Sequence, residues 1–274
     1  MTRLKFVMVT AALTLSLAGV SIHTAPAFAE AEANTKQARP SPFQPTEDVM
    51  ADVNAMLARA STTGKLGLII MGGNWCHDSR ALARRMATAK LAPVLDTNYE
   101  TLLVDVAGLS DNMDVAKRFG RPVIYGTPTV LIINPATEKL VNAHDMHQWR
   151  DAERISVADT TDYFTRMATA ETRGTPADMM GKPRYTELMA DIDAFENTQA
   201  KRIYQAFAVI GPMLEIPKSQ RPENFIKLWI ELSQFRYQIT KDLAALEAKA
   251  RAFAAAGDAS TPLSYPNYKP FSWE

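Results

Sequence analysis

The chain has 274 residues, of which 47% are hydrophobic, and its 30 lysine and arginine residues balance 30 aspartate and glutamate residues. This length and composition are typical of a globular protein with one large or two small domains. Because the charges cancel, no overall field favours an anionic partner, and we expect no nucleic-acid binding.

Residues 1–29 have the pattern of a secretory signal peptide. Arg3 and Lys5 begin it, an apolar run follows over residues 6–22, and small residues at 27–29 predict cleavage after Ala29. We therefore expect an exported, periplasmic protein with no stable membrane span after cleavage. The alternative is a retained N-terminal anchor, although the apolar run is short for a span and contains Thr and Ser. Residues 30–45 are polar and proline-rich, which predicts a flexible linker.

Residues 46–172 alternate between helical and strand patterns and predict one domain. The expected elements are a helix capped by Thr46, a strand over 66–71, a helix from Cys76 through Ala87, a strand over 99–106, a short helix over 112–119, strands over 130–134 and 139–143, and a helix over 159–170. The strand–helix–strand portion favours parallel pairing with a right-handed crossover. The last two strands should form a hairpin.

The pattern changes after a Gly- and Pro-containing linker at 173–183. Apolar residues then recur at spacings of three and four, which predicts a helical hairpin over 184–256. Such a hairpin can pack on the first domain or on itself, and the alternative is that it binds a partner or self-associates. Residues 257–274 contain three prolines and four aromatic residues and predict an extended tail lying on another surface.

Cys76 is the only cysteine of the chain, and it stands where a buried strand, a Gly72-Gly73 break and a helix meet. A helix N-terminus presents free backbone N–H groups and the positive end of the dipole, which favour negative charge. The thiol is therefore biased towards thiolate, the nucleophilic form. In an oxidising compartment, a lone cysteine is expected to be lost from the sequence or to be blocked chemically, unless the fold protects it or it has a function. The alternative is a small buried residue with no catalytic use.

Two segments, GGNWCHDS around Cys76 and GTPT at 126–129, resemble the thioredoxin superfamily. In that family a Trp-Cys-x-x-Cys motif lies at a strand-to-helix turn and faces a cis-proline loop, which the resemblance places at Pro128. The resemblance covers roughly residues 46–170 and leaves out the helical hairpin. It implies an α/β, thioredoxin-like fold, a central mixed sheet flanked by helices, followed by a C-terminal α-helical hairpin.

Three departures from the family pattern bear on the expected chemistry. Ser79 stands in place of the second cysteine, so the motif is WCxxS and no intramolecular disulfide can release a substrate. Ser79 can instead donate a hydrogen bond to the Cys76 thiolate. The buried acid that thioredoxins place before the motif falls near Ile70, so this proton carrier is missing. His77, when protonated, favours thiolate, whereas Asp78 is expected to serve the helix backbone.

These departures leave monothiol chemistry and a short set of expected site residues. The expected catalytic residues are Cys76, Ser79, His77 and Trp75, and the expected substrate-binding residues are Thr127 and Pro128. Trp75 would form an apolar lip beside the sulfur, and Thr127 would pair its backbone with a substrate strand. We expect no metal site, because His144 and His147 lie three apart after a strand and such pairs are usually surface residues.

The leading functional prediction is thiol–disulfide exchange through a mixed disulfide at Cys76 that an outside thiol resolves. The expected partners are protein or small-molecule thiols and disulfides, with no cofactor beyond glutathione as a candidate external thiol. Whether the protein turns over as an enzyme stays open. A non-catalytic binding or adaptor protein is the alternative. A glutathione-transferase-like enzyme is the third option, weakened because two long hairpin helices do not resemble the compact helical domain of that family.

Overall fold

The computed structural model of the protein describes residues 41–143, 145–170 and 177–274. The predicted signal peptide, its cleavage site after Ala29 and most of the 30–45 linker lie outside the described residues, as do His144 and part of the 173–183 linker. Within the described ranges, none of the helices is both long and apolar enough to cross a membrane.

Four strands form a mixed sheet at the centre of the first domain. They are β1 (Leu66–Gly72), β2 (Tyr99–Asp105), β3 (Thr129–Asn134) and β4 (Lys139–Leu140), arranged in the order β2-β1-β3-β4. β1 pairs in parallel with β2 and antiparallel with β3, and β4 pairs antiparallel with β3. The apolar run of β1 is buried on both faces of the sheet, as expected for a central strand.

Helices cover both faces of this sheet. They are α1 (Val49–Thr63), α2 (His77–Met86), α3 (Ala92–Asn98), α4 (Asp114–Arg118) and α5 (Val157–Met167), with a 3-10 segment over Met146–Arg154. Successive residues of β1 point to opposite faces. Ile69 and Met71 therefore pack in the core that includes α1, while Leu68 and Ile70 pack in the core that includes α2 and α5.

Several predicted boundaries of the first domain are wrong. The helix cap is Asp48, which accepts a hydrogen bond from Ala51 N at 2.9 Å, and Thr46 lies outside the helix. The β4 strand was expected over 139–143 but ends at Leu140, because the Asn142 side chain takes over the pairing. Its Oδ1 accepts from Ile132 N and its Nδ2 donates to the Val130 carbonyl, both at 2.9 Å. Helix α3 and the 3-10 segment have no counterpart among the predicted elements.

Two long helices, α6 (Pro183–Glu215) and α7 (Phe225–Ala256), form the hairpin and pack on the first domain. The backbones meet at Gly108, which follows β2, and Gly211 of α6. A Cβ on Gly211 would lie 2.0 Å from the Gly108 carbonyl oxygen, so only glycine fits there. Glu196 of α6 makes a second bridge, accepting from Arg121 Nη2 at 2.9 Å and from the Tyr125 hydroxyl at 2.8 Å. All described residues therefore belong to one compact unit.

The tail over 257–274 is extended and lies along the hairpin. The Tyr265 ring lies 4.9 Å from that of Phe195 on α6, and the Phe271 ring lies 5.1 Å from that of Phe235 on α7. The Tyr268 hydroxyl donates to Asp242 Oδ2 at 2.7 Å. Aromatic packing of this kind holds a segment that has no regular hydrogen-bonding pattern of its own.

Candidate active site

The turn between β1 and α2 places Cys76 at the N-cap of α2. Cys76 N donates to the Gly73 carbonyl at 3.0 Å, which closes the turn, and Arg80 N donates to the Cys76 carbonyl at 3.2 Å, which opens the helix. A Cβ on Gly72, the last residue of β1, would lie 2.7 Å from Ser79 Oγ and from the Phe43 ring, so a larger residue there would displace these buried side chains. The sulfur is therefore positioned by the end of the central strand and by the start of a helix.

Cys76 faces the loop that precedes β3. Its thiol donates a hydrogen bond from Sγ to the Thr127 carbonyl at 3.1 Å. The peptide bond between Thr127 and Pro128 is cis, the isomer that the sequence analysis expects. The two segments that carried the resemblance, although about fifty residues apart in the sequence, are thus in direct contact.

Cys76 is 7% exposed and lies on the wall of a cleft of about 660 Å³. The opposite wall comes from α7, through Trp229, Ser233, Arg236 and Tyr237. The 3-10 segment contributes further lining residues, including Arg150. The cleft is therefore composite, with the sulfur on the first domain and much of the facing surface on the hairpin.

Trp75 joins these two walls. Its Nε1–H donates to the Ala107 carbonyl at 2.6 Å, and its ring meets the Trp229 ring edge to face at 5.9 Å between centroids. The indole lines the cleft as the sequence predicts, but it also packs against α7, which the sequence does not indicate.

His77 and Asp78 contact each other but differ in burial. The His77 side chain is 72% exposed, and its Nε2 lies 3.0 Å from Asp78 Oδ2. Asp78 is buried, and its Oδ1 accepts from Glu153 N at 2.9 Å, so it ties α2 to the 3-10 segment. Burial raises the pKa of Asp78, against the lowering effect of the Glu153 hydrogen bond and of His77. Asp78 therefore bonds the backbone of the 3-10 segment and not, as the sequence predicts, that of its own helix.

Ser79 is fully buried. Its Oγ accepts a hydrogen bond from Gly73 N at 3.4 Å, the only hydrogen bond that the described part of the chain gives to this hydroxyl. Ser79 therefore contacts the turn that carries Cys76. Its role as a thiolate stabiliser stays a prediction.

Arg236 is the functional candidate that the sequence analysis missed. This side chain of α7 is 4% exposed and packs beside the rings of Trp229 and Phe207 at 5.1 and 5.8 Å. Its Nη2 donates to Ser233 Oγ at 3.5 Å, while its Nε and Nη1 have no hydrogen-bond partner among the described residues. Burial lowers the pKa of Arg236 to about 10, and the neighbouring Cys76 acts in the opposite direction. The guanidinium is therefore charged at neutral pH.

A signal for Arg236 was present in the sequence. Trp229, Arg236, Leu243 and Ala250 are spaced by seven residues along α7. A charged residue in such a row faces the core side of the helix, where charges are rare unless they are paired. The charge thus interrupts the apolar stripe at the point where α7 passes the cleft.

The described residues contain no group of three or more His, Cys, Asp or Glu side chains that could hold a metal ion. His147 is half-buried with its ring 5.2 Å from that of Tyr125, and its Nδ1 has no partner within the described ranges. Burial lowers the pKa of His147 to about 3, so the ring is neutral at physiological pH. His144, the other member of the candidate pair, lies outside the described residues.

Comparison with known proteins identifies the class of the first domain. Residues 48–135 match a protein family described as thioredoxin-like. This match runs from the start of α1 to the turn after β3 and includes both Cys76 and Pro128. With the mixed sheet and its flanking helices, it defines a thioredoxin-like domain, followed by a helical hairpin that the match does not reach. The predicted fold class is confirmed.

One similar solved structure is that of a disulphide isomerase from Xylella fastidiosa Temecula1. It is 25% identical in sequence, covers 47% of this chain and 98% of its own, and superposes with a TM-score of 0.44. A comparison with curated proteins found no match.

Proposed function

We propose that the protein is an exported, periplasmic thiol–disulfide exchange protein of monothiol type, in which Cys76 is the nucleophile. One observation carries the proposal. The only sulfhydryl of the chain lies at the N-cap of α2, 3.1 Å from the Thr127 carbonyl beside a cis-proline, on the wall of a cleft. A thioredoxin-like domain holds its reactive sulfur in this arrangement.

The reaction begins when the Cys76 thiol loses its proton. The thiolate attacks one sulfur of a disulfide, so that a bond forms between Cys76 Sγ and that sulfur while the original sulfur–sulfur bond breaks. The other half of the disulfide leaves as a thiolate and takes up a proton. Cys76 is now oxidised to a mixed disulfide, and the released thiol is reduced. An outside thiol such as glutathione then attacks the mixed disulfide and returns Cys76 to its reduced form.

The surrounding residues support these steps. Loss of the Cys76 proton frees the Thr127 carbonyl, which can then accept a hydrogen bond from a bound substrate. Ser79 and the free N–H groups at the start of α2 hold the turn and favour negative charge at the sulfur. His77, exposed next to the motif, adds a positive charge when it is protonated, and Trp75 provides an apolar edge to the cleft.

A non-catalytic binding protein is the second candidate, and the burial of Cys76 favours it. With 7% exposure, the sulfur is reached through the cleft rather than from open solvent. In that case the cleft would hold a partner and the thiol would react slowly or not at all.

The reaction of Cys76 with uncharged 4,4′-dithiodipyridine separates these candidates. We expect the wild type to release one equivalent of thiopyridone, because the chain has one cysteine, and to stop until an external thiol is added. Cys76→Ser is the matched control and should release none. Ser79→Cys should restore the missing second thiol and give repeated cycles in the presence of a reductant. A folded wild type that releases no thiopyridone would favour the binding protein and contradict exchange.

A further inference from the structure

We propose that the cleft beside Cys76 contains an anion subsite, built around Arg236, that binds a carboxylate of a small disulfide or thiol reacting at Cys76. This inference rests on the proposed function and names its substrate class: small molecules that carry carboxylates, rather than extended protein segments.

The Arg236 guanidinium is a buried cation with few hydrogen-bond partners. A guanidinium has five N–H donors, and a buried cation is normally paired and hydrogen-bonded because its desolvation is unfavourable. Here the side chain is 4% exposed, lines the cleft, and has two nitrogens without partners among the described residues. Arg236 thus holds a buried positive charge with unused donors, and its side chain is part of the cleft lining.

Arg150 and Arg221 also line the same cleft. Arg150 donates to Thr240 Oγ1 at 3.4 Å and lies 3.5 Å above the Tyr237 ring. Arg221 donates to the Leu214 carbonyl at 3.1 Å. Across the described residues, neither these two nor Arg236 makes a salt bridge.

The acidic residues of the cleft are, by contrast, already engaged. Asp78 accepts from Glu153 N and pairs with His77. Asp151 Oδ1 accepts from the Tyr237 hydroxyl at 2.7 Å, and Glu153 pairs with Arg84 at 3.1 Å. The carboxylates of the cleft are therefore engaged within the protein, whereas Arg236 is a buried cation without a salt bridge among the described residues, and the complementary ligand group is an anion.

The size of the cleft fits a small molecule. Its volume of about 660 Å³ lies within the range of about 300–1,000 Å³ that is typical of small-ligand sites. Cys76 and Arg236 both line it, and the two groups interact electrostatically. A small disulfide could place one sulfur at Cys76 and a carboxylate at Arg236, because guanidinium groups bind carboxylates strongly and directionally.

The competing explanation is that Arg236 serves as counter-ion of the Cys76 thiolate alone. The two accounts differ in one measurable quantity, the ratio of reaction rates with an anionic and an uncharged disulfide. A change in the thiolate population alters both rates by the same factor and leaves their ratio unchanged. A change in carboxylate binding alters the anionic rate alone.

The test measures second-order rate constants for Cys76 with 5,5′-dithiobis(2-nitrobenzoate), which carries carboxylates, and with 4,4′-dithiodipyridine, which is uncharged. In Arg236→Gln we expect the anionic-to-uncharged ratio to fall by about 10- to 100-fold, the usual effect of losing a hydrogen bond to a charged group. Lys241→Gln is the matched control, since it removes one positive charge from an exposed position on α7, and its ratio should stay within about twofold of the wild type.

Because Arg236 is buried, its variant can fail to fold, so two further measurements test the same point. Arg150→Gln should lower the ratio in the same direction. In the wild type, succinate should slow the reaction with dithiodipyridine saturably at constant ionic strength, whereas succinamide should not. An unchanged ratio in folded Arg236→Gln or Arg150→Gln, or no inhibition by succinate, overturns the subsite while exchange at Cys76 stands. A wild type that reacts with neither disulfide overturns both.

Discussion

The two walls of the cleft differ in how their polar groups are satisfied. On the first domain, Cys76 donates to Thr127, Trp75 donates to Ala107, and Ser79 accepts from Gly73. On the hairpin, Arg236 keeps two nitrogens without partners among the described residues. The thioredoxin-like wall fixes the geometry of the sulfur, while the added hairpin provides Arg236, the centre of the proposed anion subsite.

The largest expected effect comes from a substitution that disrupts the contact between the first domain and the hairpin. Gly211→Ala should lower the free energy of unfolding by about 3 kcal/mol, because the new Cβ would meet the Gly108 backbone and neither backbone can move freely. If the variant folds with a displaced hairpin, Cys76 should become more exposed and react faster with dithiodipyridine.

Chemical denaturation and thiol-reaction rates measure these two effects. Ala190→Ser is a suitable control, since it also adds one heavy atom to α6, at an exposed position, and should change stability by less than about 0.5 kcal/mol. Equal stabilities of the two variants would show that the Gly108–Gly211 approach does not hold the hairpin in place.

The sequence predicts the first wall far better than the second. The β1–α2 turn and the loop before β3 are local patterns, Gly-Gly before Trp-Cys and Gly-Thr-Pro before a strand, so their residues could be found without coordinates. Arg236 could not be assigned in this way, because its importance arises only where α7 crosses the cleft. The spacing of its row shows that a charge is buried, but not what it faces.

The errors within the first domain have local causes. Asp48 caps the helix in place of Thr46 because its carboxylate accepts from Ala51 N, and aspartate is preferred over threonine at this position. Asn142 shortens β4 because its side-chain amide, and not its backbone, makes the hydrogen bonds to β3. A strand pattern in the sequence does not reveal this substitution of side chain for backbone. Ser79 accepts from the backbone of Gly73, its only partner in the described part of the chain, and its hydrogen bond to the Cys76 thiolate stays a prediction.

A smaller effect is expected from loss of the hydrogen bond that anchors Trp75 at the edge of the cleft. Trp75→Phe removes the Nε1–H donor and leaves the Ala107 carbonyl without it, so we expect stability to fall by about 1 kcal/mol beyond the loss of ring packing. Trp273→Phe is the matched control, because the described residues give its indole nitrogen no hydrogen bond. Thermal or denaturant unfolding measures both, and a Trp273 variant as unstable as the Trp75 variant would contradict the anchoring role.

The smallest expected effect is a pH dependence at Asp78. Its pKa in the folded protein is raised from 3.8 by burial, so the folded state holds this proton more tightly than the unfolded state. The free energy of unfolding should therefore fall, relative to Asp78→Asn, as the pH rises from 3.8 through the raised pKa. Asparagine keeps an acceptor for Glu153 N, which makes it the appropriate reference. A difference that grows in favour of the wild type over this range would reverse the assignment.

Intact-mass spectrometry after incubation with cystine, a small disulfide that carries carboxylates, tests the account most directly. We predict that the wild type gains one half-cystine on Cys76, keeps it after the free disulfide is removed, and loses it when an external thiol is added, whereas Cys76→Ser gains nothing. A folded wild type that stays unmodified, or an adduct that disappears without added thiol, would contradict the account.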